Sequence, residues 1–244
     1  MTSFVDRLIF VPPSPTYGEE MEGLVRFRAS DGEPVAGLLA PVDGAPLAVL
    51  FLHGNAEDVG QLGAFLSTYS TLGVSVLGID YPGYGLSRGQ PSERATYAAA
   101  EAGLGFLRGR GHPPERMVLH GRSLGGSVAT ELATRHRVAG LILESTFTSA
   151  FRVMLPFDHL PGDRFTTLAK IPRVEAPVLV IHGTRDEVVS QDHGRRLLEA
   201  LPPSQRRSWW VEGAGHNDLL AVAGRAYWHK LAEFLVSLPA VARP

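Results

Sequence analysis

The stretch from Pro114 to Thr130, PERMVLHGRSLGGSVAT, limits the possible folds more than any other part of the chain. Met117–His120 is a short apolar run of strand type. Gly121-Arg122-Ser123-Leu124-Gly125-Gly126 brackets a serine with glycines, and Ser127–Arg135 carries small and apolar residues at helical spacing. A serine at the apex of a strand–turn–helix unit is the context in which Gly-x-Ser-x-Gly reads as a nucleophile elbow. So tight a turn forces the serine into a strained backbone, and its neighbours two residues away must lack side chains or collide with strand and helix. The turn pushes the hydroxyl into open space and aims the Leu124 amide, at the helix start, toward the same point, where an anion is favoured. An ordinary glycine-rich strand–helix turn carries the same short pattern, so the rest of the chain must supply the partners.

With 244 residues, the chain has room for one large domain or two small ones, and for a sizeable core. The net charge of −2 leaves no electrostatic footprint for nucleic acid. There is no cysteine, which excludes disulfides, thiolate zinc sites, a cysteine nucleophile and S-acylation anchors. The first residues, MTSFVDRLIFVPP, have no basic lead-in and make a poor signal peptide, and no apolar stretch approaches the roughly 20 residues of a membrane span. The expectation is a soluble, cytoplasmic protein with no stable membrane anchor, and a monomer by default.

Order along the chain gives the fold class. Residues 10–18, FVPPSPTYG, read as an extended arm. Leu24–Ala29 and Val35–Ala40 flank the turn signal Asp31-Gly32 and make a hairpin. Leu47–Leu52 is continuously apolar, as a strand buried on both faces should be. Helices over Glu57–Leu72, Ser92–Arg108, Ser127–Arg135, Asp192–Leu201 and Asp218–Val236 then alternate with strands over Val74–Ile79, Met117–His120, Ala139–Glu144, Val178–His182 and Arg207–Val211. This rhythm predicts a single α/β domain over 1–244, a mostly parallel central sheet opened by an antiparallel hairpin, with helices on both faces. Ser145–Ala176 is too long for a plain connection. It reads as a short lid over the site or as a crossover helix with a long loop.

Ligands of such sheets bind outside the carboxyl ends of the strands. The residues at those ends are His53-Gly54-Asn55, Asp80, Ser123, Glu144-Ser145, His182 to Asp186, and Glu212 to His216. A serine, two candidate carboxylates and a late histidine thus fall at one sheet edge, in the order Ser…Asp…His. Acyl transfer by serine needs a base for the hydroxyl proton and a carboxylate that orients the base.

Taken together, LFLHGNAEDVG, IDYPGYGLSRGQPSE, GRSLGGSVA, LILESTFTS, VLVIHGTRDEVV and GAGHNDL resemble the α/β-hydrolase superfamily over nearly the whole chain. The nearest likeness is to its small-lid serine hydrolases, including depalmitoylase-like proteins and bacterial paralogues, whose arm also resembles LIFVPPSPTY. The resemblance implies Ser123 as nucleophile, Asp186 as acid and His216 as base. It implies oxyanion-hole amides at Leu124 and Asn55, with Ala56 the alternative to Asn55. Depalmitoylase-type relatives are anchored through N-terminal cysteines, which this chain lacks. The expected activity is a carboxylesterase acting on small-molecule acyl esters, needing no metal or organic cofactor. Thioesterase, lipase-like or peptidase chemistry on the same residues is the alternative, and a non-catalytic binding protein on the same scaffold is a third reading. Glu144, Phe147 and Phe151 are candidate substrate-binding residues, and Glu144 reads alternatively as a cap on the elbow region through hydrogen bonds.

Overall fold

The computed structural model describes residues 4–154 and 162–239. Among the described residues, eight strands form one sheet in the order β1-β2-β4-β3-β5-β6-β7-β8. They are β1 (Leu24–Arg28), β2 (Pro34–Ala40), β3 (Ala48–Leu52), β4 (Ser75–Ile79), β5 (Met117–Arg122), β6 (Gly140–Glu144), β7 (Val178–Gly183) and β8 (Arg206–Val211). β2 pairs antiparallel with both β1 and β4, and every other neighbour is parallel. This is the α/β sheet with an opening hairpin that the strand order predicts.

The alternation of side chains along a strand divides the core into two layers. From β3, Leu50 and Leu52 join Leu104 of α3 (Glu93–Gly109) and Val128 and Leu132 of α4 (Leu124–Arg135) on one face. Val49 and Phe51 join Leu66 and Tyr69 of α2 (Gly63–Ser70) and Tyr227 and Leu231 of α9 (Arg225–Val236) on the other. All five β3 residues are buried, which explains their unbroken apolar run. The remaining helices are α1 (Phe4–Ile9), α5 (Ala150–Met154), α6 (Thr167–Lys170), α7 (Gln191–Glu199) and α8 (Leu219–Ala223).

Three helical expectations change. The helix predicted over 57–72 is a 3-10 turn at Val59–Leu62 followed by α2, because the Asp58 side chain caps the Gln61 amide and starts the turn there. The long closing helix is broken into α8 and α9 at Gly224, which takes a left-handed φ of 53°. Helix α4 begins at Leu124, immediately after the serine, three residues earlier than its apolar pattern suggests.

Of the 145–176 stretch, residues 155–161 lie outside the described residues. Its two described ends differ. Phe147 and α5 lie beside the pocket described below. Phe165 is fully buried instead, edge-on to Phe10 of the arm and Tyr97 of α3 at centroid distances of 5.8 Å each.

Candidate active site

Ser123 sits at the end of β5 with φ 51° and ψ −115°, a conformation that costs a non-glycine residue about 1–3 kcal/mol. Backbone and side-chain contacts hold it there. Its amide donates to the Glu144 carbonyl at 2.8 Å, and its carbonyl accepts from Thr146 Oγ1 at 2.6 Å. The flanking glycines are needed for space. A Cβ on Gly121 would run into the Gly125 backbone, and one on Gly125 would run into the Leu52 carbonyl at the end of β3. The elbow therefore packs backbone to backbone against the loop that follows β3.

Asp186 and His216 come from the loops after β7 and β8, which are stitched together. The Thr184 amide donates to the Val211 carbonyl at 3.0 Å, the Arg185 amide to Ala214 at 2.9 Å, and the Gly213 amide to Thr184 Oγ1 at 2.9 Å. His216 Nδ1 lies 2.8 Å from Asp186 Oδ2, and His216 Nε2 lies 3.1 Å from Ser123 Oγ. With Nδ1 as the donor to the carboxylate, Nε2 is free to accept the serine proton.

Asp186 has further partners that the sequence does not announce. Its Oδ1 accepts from the amides of Val188 at 3.0 Å and Val189 at 2.7 Å. His182 Nε2 lies 3.2 Å from Oδ2 and also 2.8 Å from the Val189 carbonyl. Burial disfavours the ionised carboxylate, but hydrogen bonds from His182 and His216 and the Val189 amide outweigh it and hold the acid well below the ordinary aspartate range. Asp186 is therefore an anion at neutral pH. His182, four residues before Asp186, passes in the sequence as the end of a buried strand, where that spacing carries no sign of a link.

Ser123 and His216 open into a pocket of about 680 Å³, within the usual range for small-molecule sites, while the Asp186 side chain is buried behind the histidine. Ser123, Leu124 and His216 line it together with Asn55 and Ala56, so both candidates for the second oxyanion amide border the same space. Apolar walls come from Phe147, Ala150, Val153 and Val188.

The candidate substrate-binding residues separate. Phe147 is buried and lines the pocket. Phe151 is not among the lining residues. Ala150 and Val153, three apart on α5, turn toward the pocket, and a residue one step on from Ala150 points about 100° away. Glu144 lines the pocket but is only 4% exposed. Its Oε2 accepts from Tyr227 at 2.5 Å and lies 3.2 Å from His120 Nε2, while its carbonyl holds the Ser123 amide. Burial works against the ionised form, yet His120 and Arg122 keep its carboxyl below the usual glutamate range. These contacts make it a buried prop beneath the elbow.

The amino-terminal arm also borders the pocket, through Leu8 and Ile9. The Asn55 side chain fastens it, donating to the Ile9 carbonyl at 2.6 Å and accepting from the Val11 amide at 3.0 Å. Further along, the Thr16 amide donates to Asp58 Oδ2 at 2.7 Å, and the Tyr17 hydroxyl bonds Asp80.

Known proteins agree with this architecture. The α/β-hydrolase domain-containing protein aho-3 of Caenorhabditis elegans is 35% identical over 262 residues, covering 96% of this chain and 78% of that protein. The chain belongs to the α/β-hydrolase family. Human α/β-hydrolase domain-containing protein 17C is 41% identical over 191 residues, and the match spans 77% of this chain but only 57% of that relative's length. The profile of a family described as serine aminopeptidase, S33, matches residues 45–160. Among solved structures, an esterase from Pyrococcus furiosus superposes with a TM-score of 0.76 at 18% identity, covering 93% of this chain and 99% of that one. A monoacylglycerol lipase from Paleococcus ferrophilus gives 0.67 at 19% identity, covering 83% and 98%. At these identities the structural matches speak for the fold alone.

Proposed function

We propose that this α/β hydrolase is a serine hydrolase of carboxylesterase type, cleaving small acyl esters through a covalent acyl-enzyme. The reading rests on one continuous path. Ser123 Oγ is 3.1 Å from His216 Nε2, and His216 Nδ1 is 2.8 Å from Asp186 Oδ2, at the edge of an open pocket. His216 takes the serine proton as Oγ attacks the ester carbonyl. The amides of Leu124 and Asn55 receive the developing oxyanion, an effect worth about 10²–10³ in rate per donor. His216, now a cation steadied by Asp186, protonates the leaving alcohol. The same histidine then activates water, which releases the acid and restores Ser123. These steps use only side chains and amides of the chain itself.

The second reading keeps the same three residues but changes the bond cleaved to a thioester, a longer-chain ester or an aminoacyl amide. Its amide branch is favoured by the serine aminopeptidase description of the matching profile. A side-by-side assay of p-nitrophenyl esters of increasing chain length, acyl thioesters and aminoacyl p-nitroanilides decides between them. Highest kcat/KM on short or medium esters, abolished by Ser123→Ala, is expected. A preference for thioesters or amides would move the assignment to the second reading. Turnover that survives Ser123→Ala would remove both.

A further inference from the structure

Two separate segments must meet for the oxyanion to be held. One is the elbow, residues 121–124, and the other is the loop after β3, residues 53–57. Each supplies one of the proposed amides. Their relative position matters, because useful donors lie 2.7–3.1 Å from the oxyanion, and a misplacement of about 1 Å can cost roughly 10²-fold in rate.

Glu57 joins the two segments. Its Oε1 accepts from the Gly54 amide at 2.6 Å and from Arg122 Nε at 3.2 Å. Its Oε2 pairs with Nη2 of Arg122, the residue immediately before Ser123. The pair is largely shielded from water, with side-chain exposures of 24% for Arg122 and 16% for Glu57, so solvent and salt weaken it less than a surface ion pair. By folding back three residues to Gly54, Glu57 also closes the turn that holds Ala56 at a left-handed φ of 59°. The segments are in contact without slack. A Cβ on Gly54 would lie 2.8 Å from Glu57 Oε1 and 3.4 Å from the Ser123 Cβ.

From this geometry we infer that Glu57, through Arg122, is a positioning residue that fixes the spacing of the two oxyanion-hole amides. This rests on the acyl-transfer reading above. Glu57 touches neither the scissile bond nor the transferred proton. It accepts the Gly54 amide in the same turn as Asn55 and ties that turn to the backbone that carries Ser123 and Leu124. Glu57 and Arg122 also border the pocket, but a donor displaced from the transition state slows chemistry, so the loss caused by a displaced amide falls on kcat rather than on ground-state binding.

The test uses the full chain with Glu57→Ala, Glu57→Gln and Arg122→Met. Its readouts are kcat and KM on p-nitrophenyl butyrate, and the inhibition constant of an aryl trifluoromethyl ketone, whose serine adduct carries an oxyanion. Glu57→Ala is expected to lower kcat about 10–100-fold and weaken the ketone by a similar factor, with KM within about twofold. Glu57→Gln keeps an acceptor for the Gly54 amide and is expected to recover most of both losses. Arg122→Met, which leaves the Gly54 bond in place, is expected to lower kcat and ketone affinity together by a smaller factor. The inference is overturned if Glu57→Ala keeps kcat within twofold, if its loss lies in KM alone, or if Glu57→Gln is as slow as Glu57→Ala. Should Glu57→Ala not fold, Glu57→Gln and Arg122→Met decide it, and unchanged ketone affinity in Arg122→Met overturns it. An inactive wild-type chain would instead strike the acyl-transfer reading, so the two failures are told apart.

Discussion

Strain at one residue is where stability and chemistry compete. Ser123 holds a φ of 51° that only glycine adopts freely. Ser123→Gly should therefore relieve part of about 1–3 kcal/mol of strain, against about 0.5–1 kcal/mol of added chain entropy, and match or exceed the wild type in thermal stability while losing all turnover. Differential scanning calorimetry beside the ester assay checks it, and a marked fall in melting temperature would contradict the strained-elbow account. The sequence exposed this residue well, because only Gly121 and Gly125 fit beside it. It did not expose His182 or the Glu57–Arg122 pair. Those depend on side-chain hydrogen bonds, and neither a glutamate at a helix start nor an arginine in a turn carries a pattern that distinguishes a clamp from a solvated charge.

At the scale of elements, the strands were legible because burial on both faces leaves an unbroken apolar run, as in β3 and β7. The helix boundaries were less so. Gly224 inside an otherwise helical pattern gave no warning of a break, since a lone glycine is often tolerated there. The amino-terminal segment was the least legible part. Its seat is set by Asn55, Asp58 and Asp80, 42 to 63 residues from their partners in the arm, and such pairings leave no local periodicity. Its consequence is functional, since Leu8 and Ile9 form part of the pocket wall. Leu8 is 51% exposed, so a larger side chain there has room to extend over the pocket without disturbing the core. Leu8→Trp should lower kcat/KM for the longest p-nitrophenyl esters about tenfold relative to the acetate. An unchanged chain-length profile would show that this wall does not meet the acyl chain.

Across the whole molecule, buried ionisable groups set how the fold responds to acid. His193 is pushed down to about 4, first by burial and then by the positive charge of Arg152. It serves in the neutral form, with Nδ1 accepting from the Thr148 amide at 3.2 Å and lying 2.9 Å from Thr148 Oγ1. Because its folded pKa lies below its unfolded value of 6.5, its contribution is complete above that value and is lost as pH falls from 6.5 toward 4. Asp186 and Glu144 are held below 3.8 and 4.5, so their contributions are present above those values and are lost at lower pH. Buried His53 works the other way over this range, since burial lowers its pKa but the hydrogen bond and charge of Asp80 outweigh that and raise it. The His193 contribution is therefore read as a difference: between pH 6.5 and 4.5 the wild type should lose melting temperature relative to His193→Gln. Parallel profiles of the two proteins over that range would contradict this.

The central claim is that these loops assemble one reactive serine. Mass-spectrometric mapping after brief exposure to a fluorophosphonate measures it most directly. The account predicts a single phosphonyl adduct on the peptide carrying Ser123, formed rapidly by the wild type, at least about 10²-fold more slowly by His216→Ala, and absent in folded Ser123→Ala. An adduct on any other residue, or equal labelling of Ser123→Ala, would contradict it.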